Sequence, residues 1–225
     1  MAEASRTQTL RVDWSITTPV IPPGSGLLHS DALLAWAVTQ RKLTAGISTG
    51  SIRDLAEDLP LAKHFAADGS WCWCASALRW DNQTSGGRTI AAMVRRTEVD
   101  DIVQMLCDKT LRSRATKLDL ASGPQRNYLL RYDVIHATSA TAYMVGDAEK
   151  IEALLRDVKH LGKKGNSGYG CVATTTVSVV SPAECDWRWR ALPEQCGSHV
   201  PALAAIRPPY WDPTSFTSAW IPVDS

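Results

Sequence analysis

A loop with four glycines separates a helix-forming segment from a strand-forming segment in the C-terminal half of the chain. Asp147 is suited to cap the helix, and the apolar residues after it fall on one helix face: Ile151, Leu154, Leu155, Val158 and Leu161. This pattern places Lys159 and His160 in the last helical turn and Gly162 at the helix end. Residues 171–180 are rich in valine and threonine, which favours a strand. The order helix, glycine loop, strand therefore constrains the fold of this region.

The remaining sequence predicts a mixed α+β fold. Residues 8–16 alternate apolar and polar side chains, which indicates a half-buried first strand. Ser30 or Asp31 is suited to cap a helix that extends to about residue 41. Further strands are predicted at residues 71–80, 128–135 and 141–145, the last two as a hairpin or meander, with a loop at 81–88 and moderate helical signals between 89 and 120.

This order of elements is that of a ferredoxin-like (RRM-like) unit. We expect one core at residues 1–180, with a variable insertion at about 42–120. Residues 181–225 carry four tryptophans and several prolines, with little helical or strand periodicity. We expect them to form an extended C-terminal segment that packs on the core.

The overall charge is close to neutral, with 24 Lys and Arg residues against 23 Asp and Glu residues. This balance excludes a protein coated in basic charge, although a local basic face remains compatible with it. Residues 109–131 contain such a cluster, in which one acid, Asp119, accompanies Lys109, Arg112, Arg114, Lys117, Arg126 and Arg131. The cluster fits either a solvated surface or a nucleic-acid contact.

The cysteines and the hydropathy favour a reduced, cytoplasmic protein. Six cysteines in a chain whose first residues lack a signal-peptide pattern are expected to be free thiols. Cys72 and Cys74 are separated by one residue, whereas structural zinc sites use two to four, so we expect neither a metal nor a cofactor. No apolar run reaches membrane-spanning length, so we expect no membrane association.

The glycine loop combines features that suit RNA. Glycines allow the backbone to approach a ligand closely, and the two lysines add positive charge. Amide, hydroxyl and aromatic side chains add hydrogen-bond donors and a stacking face. Composition alone leaves open that the glycines only serve a turn. The candidate RNA-binding segment is Gly162, Lys163, Lys164, Gly165, Asn166, Ser167, Gly168, Tyr169 and Gly170.

Three segments resemble a known family. The glycine loop and the helix before it, residues 152–172, resemble the C-terminal glycine-rich loop of the RAMP superfamily of CRISPR systems. Residues 28–35 look like the Leu-His-x-Asp-x-Leu-Leu segment of type IV systems, and residues 186–193 look like their Asp-Trp…Arg-x-Leu-Pro segment. Over residues 8–222 the chain resembles the type IV effector subunit that caps the five-prime handle of the guide RNA.

The resemblance implies a ferredoxin-like RAMP core whose glycine loop grips the RNA handle. It also implies a hairpin or thumb in the variable middle that contacts RNA and a neighbouring subunit. The partners would be guide RNA, the filament-forming backbone subunit and the large subunit of the effector complex. Contact with target DNA is left open.

Catalysis is not expected, although some RAMP relatives cut RNA without metal by using His, Tyr or Lys. Of the five histidines only His160 lies beside the loop in sequence, and a helix C-terminus explains it without catalysis. We therefore expect an RNA-binding subunit with no catalytic residue. The alternatives are a metal-independent endoribonuclease that processes the guide precursor, and a protein-interaction scaffold.

Overall fold

The computed structural model describes residues 7–24, 26–47, 57–81, 88–96, 98–108 and 126–223. It forms two compact units, the first from Met1–Gly87 and Ile135–Ser225, the second from Arg88–Val134. Helices and mostly antiparallel strands are mixed, in agreement with the predicted α+β class.

The described helices and strands follow one another along the chain as follows: β1 (Thr7–Ile16), α1 (Ser30–Thr44), β2 (Lys63–Phe65), β3 (Trp71–Trp73), β4 (Arg79–Trp80), β5 (Arg88–Arg95), α2 (Val99–Cys107), β6 (Tyr128–Ile135), β7 (Ser139–Asp147), α3 (Ala148–Leu155), β8 (Val172–Val179), β9 (Val200–Ala205) and β10 (Phe216–Ile221). Short 3-10 helices lie at Gly165–Ser167 and Pro213–Ser215. None of the helices within the described residues is long and apolar enough to cross a membrane.

A four-stranded antiparallel sheet in the order β4-β7-β1-β8 forms the centre of the first unit. The predicted first strand is confirmed, because its apolar residues Leu10, Val12, Trp14 and Ile16 are all buried. Their period of two directs them to the same face of the sheet. That face packs against buried residues of α1 and α3 in the main hydrophobic core.

Helix α1 begins without the cap expected from its sequence. Its N-cap residue is His29, whose side chain makes no capping hydrogen bond. Ser30 and Asp31 were predicted as the cap but lie inside the helix and are buried. The Ser30 hydroxyl instead donates to the carbonyl oxygen of Ser76 at 2.6 Å. Burial gives these polar residues long-range partners in place of the helix terminus.

Helix α3 begins as predicted and ends early. Its Asp147 cap is confirmed, since the carboxylate accepts a hydrogen bond from the Lys150 backbone N–H at 3.2 Å. The helix stops at Leu155, so the prediction that His160 lies in its last turn is wrong. His160 instead pairs as an isolated bridge with Cys171. Pairing with the chain entering β8, together with burial of residues 158 and 161, stabilises this extended path.

The C-terminal segment contains more regular structure than its sequence indicates. Strands β9 and β10 pair in an antiparallel ribbon. A second hydrophobic cluster contains Cys72, Cys74, Cys185, Trp187, Ala191, Leu192, Ile206 and Ala219. Within the first unit, residues from the C-terminal segment therefore pack against residues from the β3 region.

The second unit contains the two-stranded sheet of β5 and β6 together with α2. The strand predicted at 128–135 is confirmed, but it pairs with β5 and not with β7. The prediction of helical structure from residue 89 is wrong for 89–95, which belong to β5, and is met at 99–107. Residues 82–87 of the predicted loop and residues 109–125 lie outside the described residues.

Candidate nucleic-acid interface

The glycine loop, residues 162–170, is closed at its base by backbone hydrogen bonds. The Leu161 N–H donates to the Gly170 carbonyl oxygen at 2.8 Å, which joins the two ends of the loop. The Lys163 N–H donates to Ile21 at 2.7 Å, and the Gly170 N–H donates to Pro19 at 2.8 Å. The proline-rich connection after β1 therefore holds both ends of the loop in place.

Two of the four glycines are explained by this packing alone. A Cβ atom on Gly162 would lie 2.3 Å from the Ile21 carbonyl oxygen, and one on Gly170 would lie 2.0 Å from that of Leu161. Both glycines also have positive φ angles, of 82° and 65°. Backbone atoms cannot move aside as a flexible side chain can. The geometry of the loop therefore requires glycine at these two positions, whether or not the loop binds a ligand.

What we call the crest of the loop, residues 163–169, differs from the two ends of the loop in its exposure to solvent. A 3-10 turn at Gly165–Ser167 is flanked by Lys164 and Gly168, both in the left-handed region with φ of 63° and 83°. A Cβ atom on Gly168 would meet no atom within 4 Å. Lys163, Asn166, Ser167 and Gly168 are exposed, and Tyr169 is half-buried. The crest thus presents a cation, an amide and a hydroxyl to solvent.

A groove of about 320 Å³ lies between α1 and the glycine loop. Leu28, Leu33 and Trp36 line one side, and His160 and Asn166 line the other. Trp36 is 47% exposed. An indole beside exposed polar loop groups can stack a nucleic-acid base while the loop contacts its phosphate.

Trp36 was not among the residues predicted from the sequence to contact RNA. Its signal was present, because the buried side of the predicted helix is formed by residues 33, 34, 37 and 38. A tryptophan next to that stripe is expected to face outward, and an exposed indole is a candidate for a contact surface. What the sequence lacked was the proximity of α1 to the loop.

The predicted basic residues outside the loop are not all described. Arg112, Arg114 and Lys117 lie outside the described residues. Arg126 and Arg131 are exposed and belong to the second unit, Arg131 on strand β6. Within the first unit, the groove brings Trp36 and His160 together with three of the nine loop residues, Gly162, Gly165 and Asn166.

The two other motif segments meet in the protein interior. Arg190 is fully buried and forms a 3.1 Å salt bridge with the equally buried Asp31, 159 positions earlier in the chain. The five N–H groups of the guanidinium face six acceptors at 2.6–3.1 Å, with Nη2 shared among three of them. The acceptors are the carbonyl oxygens of Trp73, Ala75, Ala191 and Ile206, the Asp31 carboxylate and the Tyr210 hydroxyl. This saturation is what a buried guanidinium requires.

Aromatic packing completes what we call the Arg190 cluster, consisting of His29, Asp31, Arg190 and Tyr210. The His29 and Tyr210 rings stack at 4.2 Å with an interplanar angle of 6°. The His29 Nε2 atom accepts a hydrogen bond from the Ala191 N–H at 3.3 Å, and the Tyr210 hydroxyl donates to Asp31 at 2.9 Å. The cluster joins α1, the β3 region and the C-terminal segment.

The protonation states in the Arg190 cluster follow from burial. Desolvation and the nearby Arg190 charge hold the pKa of His29 well below its ordinary value, so its imidazole is neutral. The Asp31 pKa is raised by burial, against the opposing effect of Arg190. A saturated, solvent-excluded cluster fits a structural role.

The cysteine-rich region shows no metal-site geometry. Burial raises the pKa of Cys72 and Cys74 to about 11, so both thiols stay protonated at neutral pH. Among the described residues, no group of three or more His, Cys, Asp or Glu side chains could hold a metal ion.

A comparison with family models identifies the family. The model described as CRISPR type IV associated protein Csf3 matches residues 8–222. This span includes the glycine loop, the groove beside α1 and the Arg190 cluster. No curated protein matches the chain.

Proposed function

This chain belongs to the Csf3 family of CRISPR type IV associated proteins, and from that premise we propose that it binds guide RNA within a type IV effector ribonucleoprotein. In this proposal the glycine loop and the groove beside α1 hold the five-prime, repeat-derived handle of the guide. The observation that carries this proposal is the groove itself, in which the exposed Trp36 faces His160 and the loop residue Asn166.

The chemistry of the loop supports a contact with single-stranded RNA. Lys163 is exposed at one end of the crest, where an ammonium can neutralise a phosphate. The open space around Gly168 allows a sugar or phosphate to approach the backbone closely. Trp36 supplies the stacking surface that single-strand binders use. Together these groups could hold one or more unpaired nucleotides.

We assign the first unit to a ferredoxin-like RAMP core. Its sheet order β4-β7-β1-β8 is fully antiparallel. Helix α1 follows the first of these strands in the chain, and α3 follows β7. With β4 counted as the second strand of the unit and β7 as the third, the order is that of a βαββαβ ferredoxin-like sheet.

The second unit is proposed as the region that contacts the neighbouring filament subunit. Its strands expose Ile90, Val94 and Leu129, each more than half accessible to solvent. Exposed apolar residues on a two-stranded sheet are typical of a protein contact surface. The same proposal places the large subunit of the complex among the partners and leaves contact with target DNA open.

The test of the handle site is the double variant Lys163→Ala/Lys164→Ala. Loss of two phosphate contacts should weaken binding of repeat-handle RNA by roughly tenfold or more, and reduce the slope of log affinity against log salt by about 1.4, since each contact on a single strand contributes about 0.7. Fluorescence anisotropy of labelled handle RNA at several salt concentrations measures both.

The matched control removes the same charge elsewhere. Lys150 and Arg156 are exposed and paired with acids of their own helix region, so Lys150→Ala/Arg156→Ala also removes two positive charges. We expect this control to keep the parental affinity. An unchanged salt slope in the loop variant would remove the loop from the RNA site, and no RNA binding by the parent would favour a protein scaffold.

We further propose that the subunit does not cut RNA. Metal-free cleavage needs a base near the attacking 2′-hydroxyl and an acid near the leaving oxygen. His160 supplies one group in the groove, and its exposure there is the observation that favours the endoribonuclease alternative. Incubating repeat RNA with excess protein in chelator and resolving it on a denaturing gel distinguishes the two. A site-specific product that disappears in His160→Ala would establish the endoribonuclease.

A further inference from the structure

A second cationic and aromatic surface lies on the first unit, where β2 and β3 meet the C-terminal segment. The Lys63 Nζ atom lies 4.3 Å from the centre of the Trp71 ring, and the Arg207 guanidinium lies 4.5 Å from it. Trp71 packs edge-on against the buried Trp73 at 5.1 Å, which fixes its orientation. Two cations are therefore held beside one rigid indole.

These two cations differ from another arginine that packs on a tryptophan. Arg79 lies 4.6 Å from the Trp189 ring, and its charge is compensated by a 2.5 Å ion pair with Asp186. Among the described residues, Lys63 and Arg207 form no ion pair with a carboxylate. A cation without a carboxylate partner would be stabilised by an anion that binds beside it.

A cavity of about 530 Å³ opens beside Trp71 and Arg207, and of the two cations only Arg207 lines it. Trp71, Arg207, Phe216 and Thr217 line it, and Glu57 also contributes to the lining. Phe216 is 43% exposed, so its ring is accessible to a stacked base. The volume falls within the range of sites that enclose small ligands. The groove beside α1 shares none of these lining residues.

We propose that this cavity binds a single-stranded nucleic acid segment separate from the handle site. One base stacks on Phe216, and the adjoining phosphate lies against Arg207. Single-strand binders combine this type of cationic track with aromatic stacking. The charge of Glu57 opposes phosphate binding and keeps the contact weak.

A purely structural role for the two cations makes a different prediction. Lys and Arg stems often cover aromatic surfaces, and such packing stabilises the fold without binding a ligand. In that case the charges at 63 and 207 would affect thermal stability and leave nucleic-acid affinity unchanged. If the cavity binds nucleic acid, loss of the Arg207 charge should weaken binding and loss of the Glu57 charge should tighten it. A structural role alone does not predict these opposite changes in affinity.

The experiment measures binding of labelled oligothymidylate and oligouridylate, each of about twelve nucleotides, to the full chain by anisotropy. We expect Arg207→Gln to weaken binding about fivefold and lower the salt slope by about 0.7. Arg207→Lys should retain most of the affinity, and Glu57→Gln should tighten binding about twofold. Tighter binding of oligothymidylate indicates a DNA strand as the natural ligand, and tighter binding of oligouridylate indicates RNA.

Two controls separate this site from the others. Arg79→Gln removes an arginine with the same packing on tryptophan outside the cavity and should leave affinity unchanged. Lys163→Ala/Lys164→Ala should keep oligonucleotide binding while it loses handle RNA. The inference is overturned if the parent binds neither oligonucleotide, if Arg79→Gln weakens binding as much as Arg207→Gln, or if the lysine double variant abolishes it. Handle binding, measured separately, decides the proposed guide-RNA function.

Discussion

The glycine loop and the Arg190 cluster both lie within the residues that the family model matches, yet they occupy opposite environments. The crest of the loop exposes Lys163 and Asn166 to solvent. In the Arg190 cluster, Arg190 and Asp31 are both fully buried and paired. Exposure leaves the loop residues available to a partner, whereas burial makes Arg190 and Asp31 an internal joint of the fold.

The electrostatic consequences differ accordingly. An exposed lysine is hydrated and ready to exchange its water for a phosphate, so its loss should leave folding nearly unchanged. A buried guanidinium has already lost its hydration and depends on its internal acceptors, so its loss leaves an uncompensated carboxylate. Substitutions in the Arg190 cluster should change unfolding, whereas substitutions at the loop should change binding.

The largest effect is expected for Arg190→Leu. Removing the guanidinium leaves Asp31 buried without its ion-pair partner, which should lower the free energy of unfolding by about 3–5 kcal/mol. Chemical denaturation followed by tryptophan fluorescence measures the change. The matched control is Arg79→Leu, which breaks an exposed salt bridge and should cost about 1 kcal/mol or less.

A double substitution sharpens this comparison. Arg190→Leu/Asp31→Leu removes both buried charges and should recover part of the lost stability, because no carboxylate remains unpaired. If the double variant is as unstable as the sum of the single variants, the ion pair is not the stabilising element of the cluster.

The next effect is expected for Trp36→Ala in RNA binding. Loss of one stacked base should weaken handle binding by about 1–3 kcal/mol. Folding should be little affected, because nearly half of the indole is exposed. Anisotropy with handle RNA and thermal unfolding provide the two readouts. Trp211→Ala removes an indole that is 71% exposed and does not line the groove, and it should leave affinity unchanged.

Acidification should weaken the Arg190 cluster through His29. The native state holds the His29 pKa well below 6.5, while the unfolded chain takes up a proton near that pH. The neutral His29 therefore does not reduce the free energy of unfolding above about pH 6.5. As the pH falls below that value, the free energy of unfolding decreases by about 1.4 kcal/mol per pH unit. Denaturation curves at about pH 7.5 and 5.5 measure this loss.

His29→Gln is the control for the pH effect. Asp31 contributes in the opposite direction, because its raised pKa allows the native state to take up a proton first. The glutamine variant keeps that contribution and removes the imidazole. Equal loss of stability on acidification in both proteins would exclude His29 as the source.

The smallest effect is expected for Gly168 at the crest of the loop. Its φ of 83° disfavours a side chain, so Gly168→Ala should cost about 1 kcal/mol of stability. Gly168→Asn should cost less, since asparagine tolerates the left-handed region. If handle binding falls in both variants by the same large factor, the open space at Gly168 is needed by RNA. Unchanged binding would leave the glycine with a turn role only.

Local patterns in the sequence were sufficient for several elements. The alternation of Leu10, Val12, Trp14 and Ile16 predicted β1, and Asp147 predicted the start of α3. The strand after the glycine loop was likewise predicted at 171–180 and lies at Val172–Val179. Periodicity and capping depend on neighbours a few residues apart, so they can be recognised in a single chain.

Tertiary structure alone decided the features that join distant residues. The pairing of Asp31 with Arg190, the position of Trp36 beside Asn166, and the early end of α3 each depend on contacts across the chain. The capping role predicted for Asp31 was wrong for the same reason, since burial beside an arginine outweighs a local helix signal. The sequence by itself determined the elements with a clear local pattern, such as β1, the start of α3 and β8. Packing determined which polar residues are buried and which remain available to a partner.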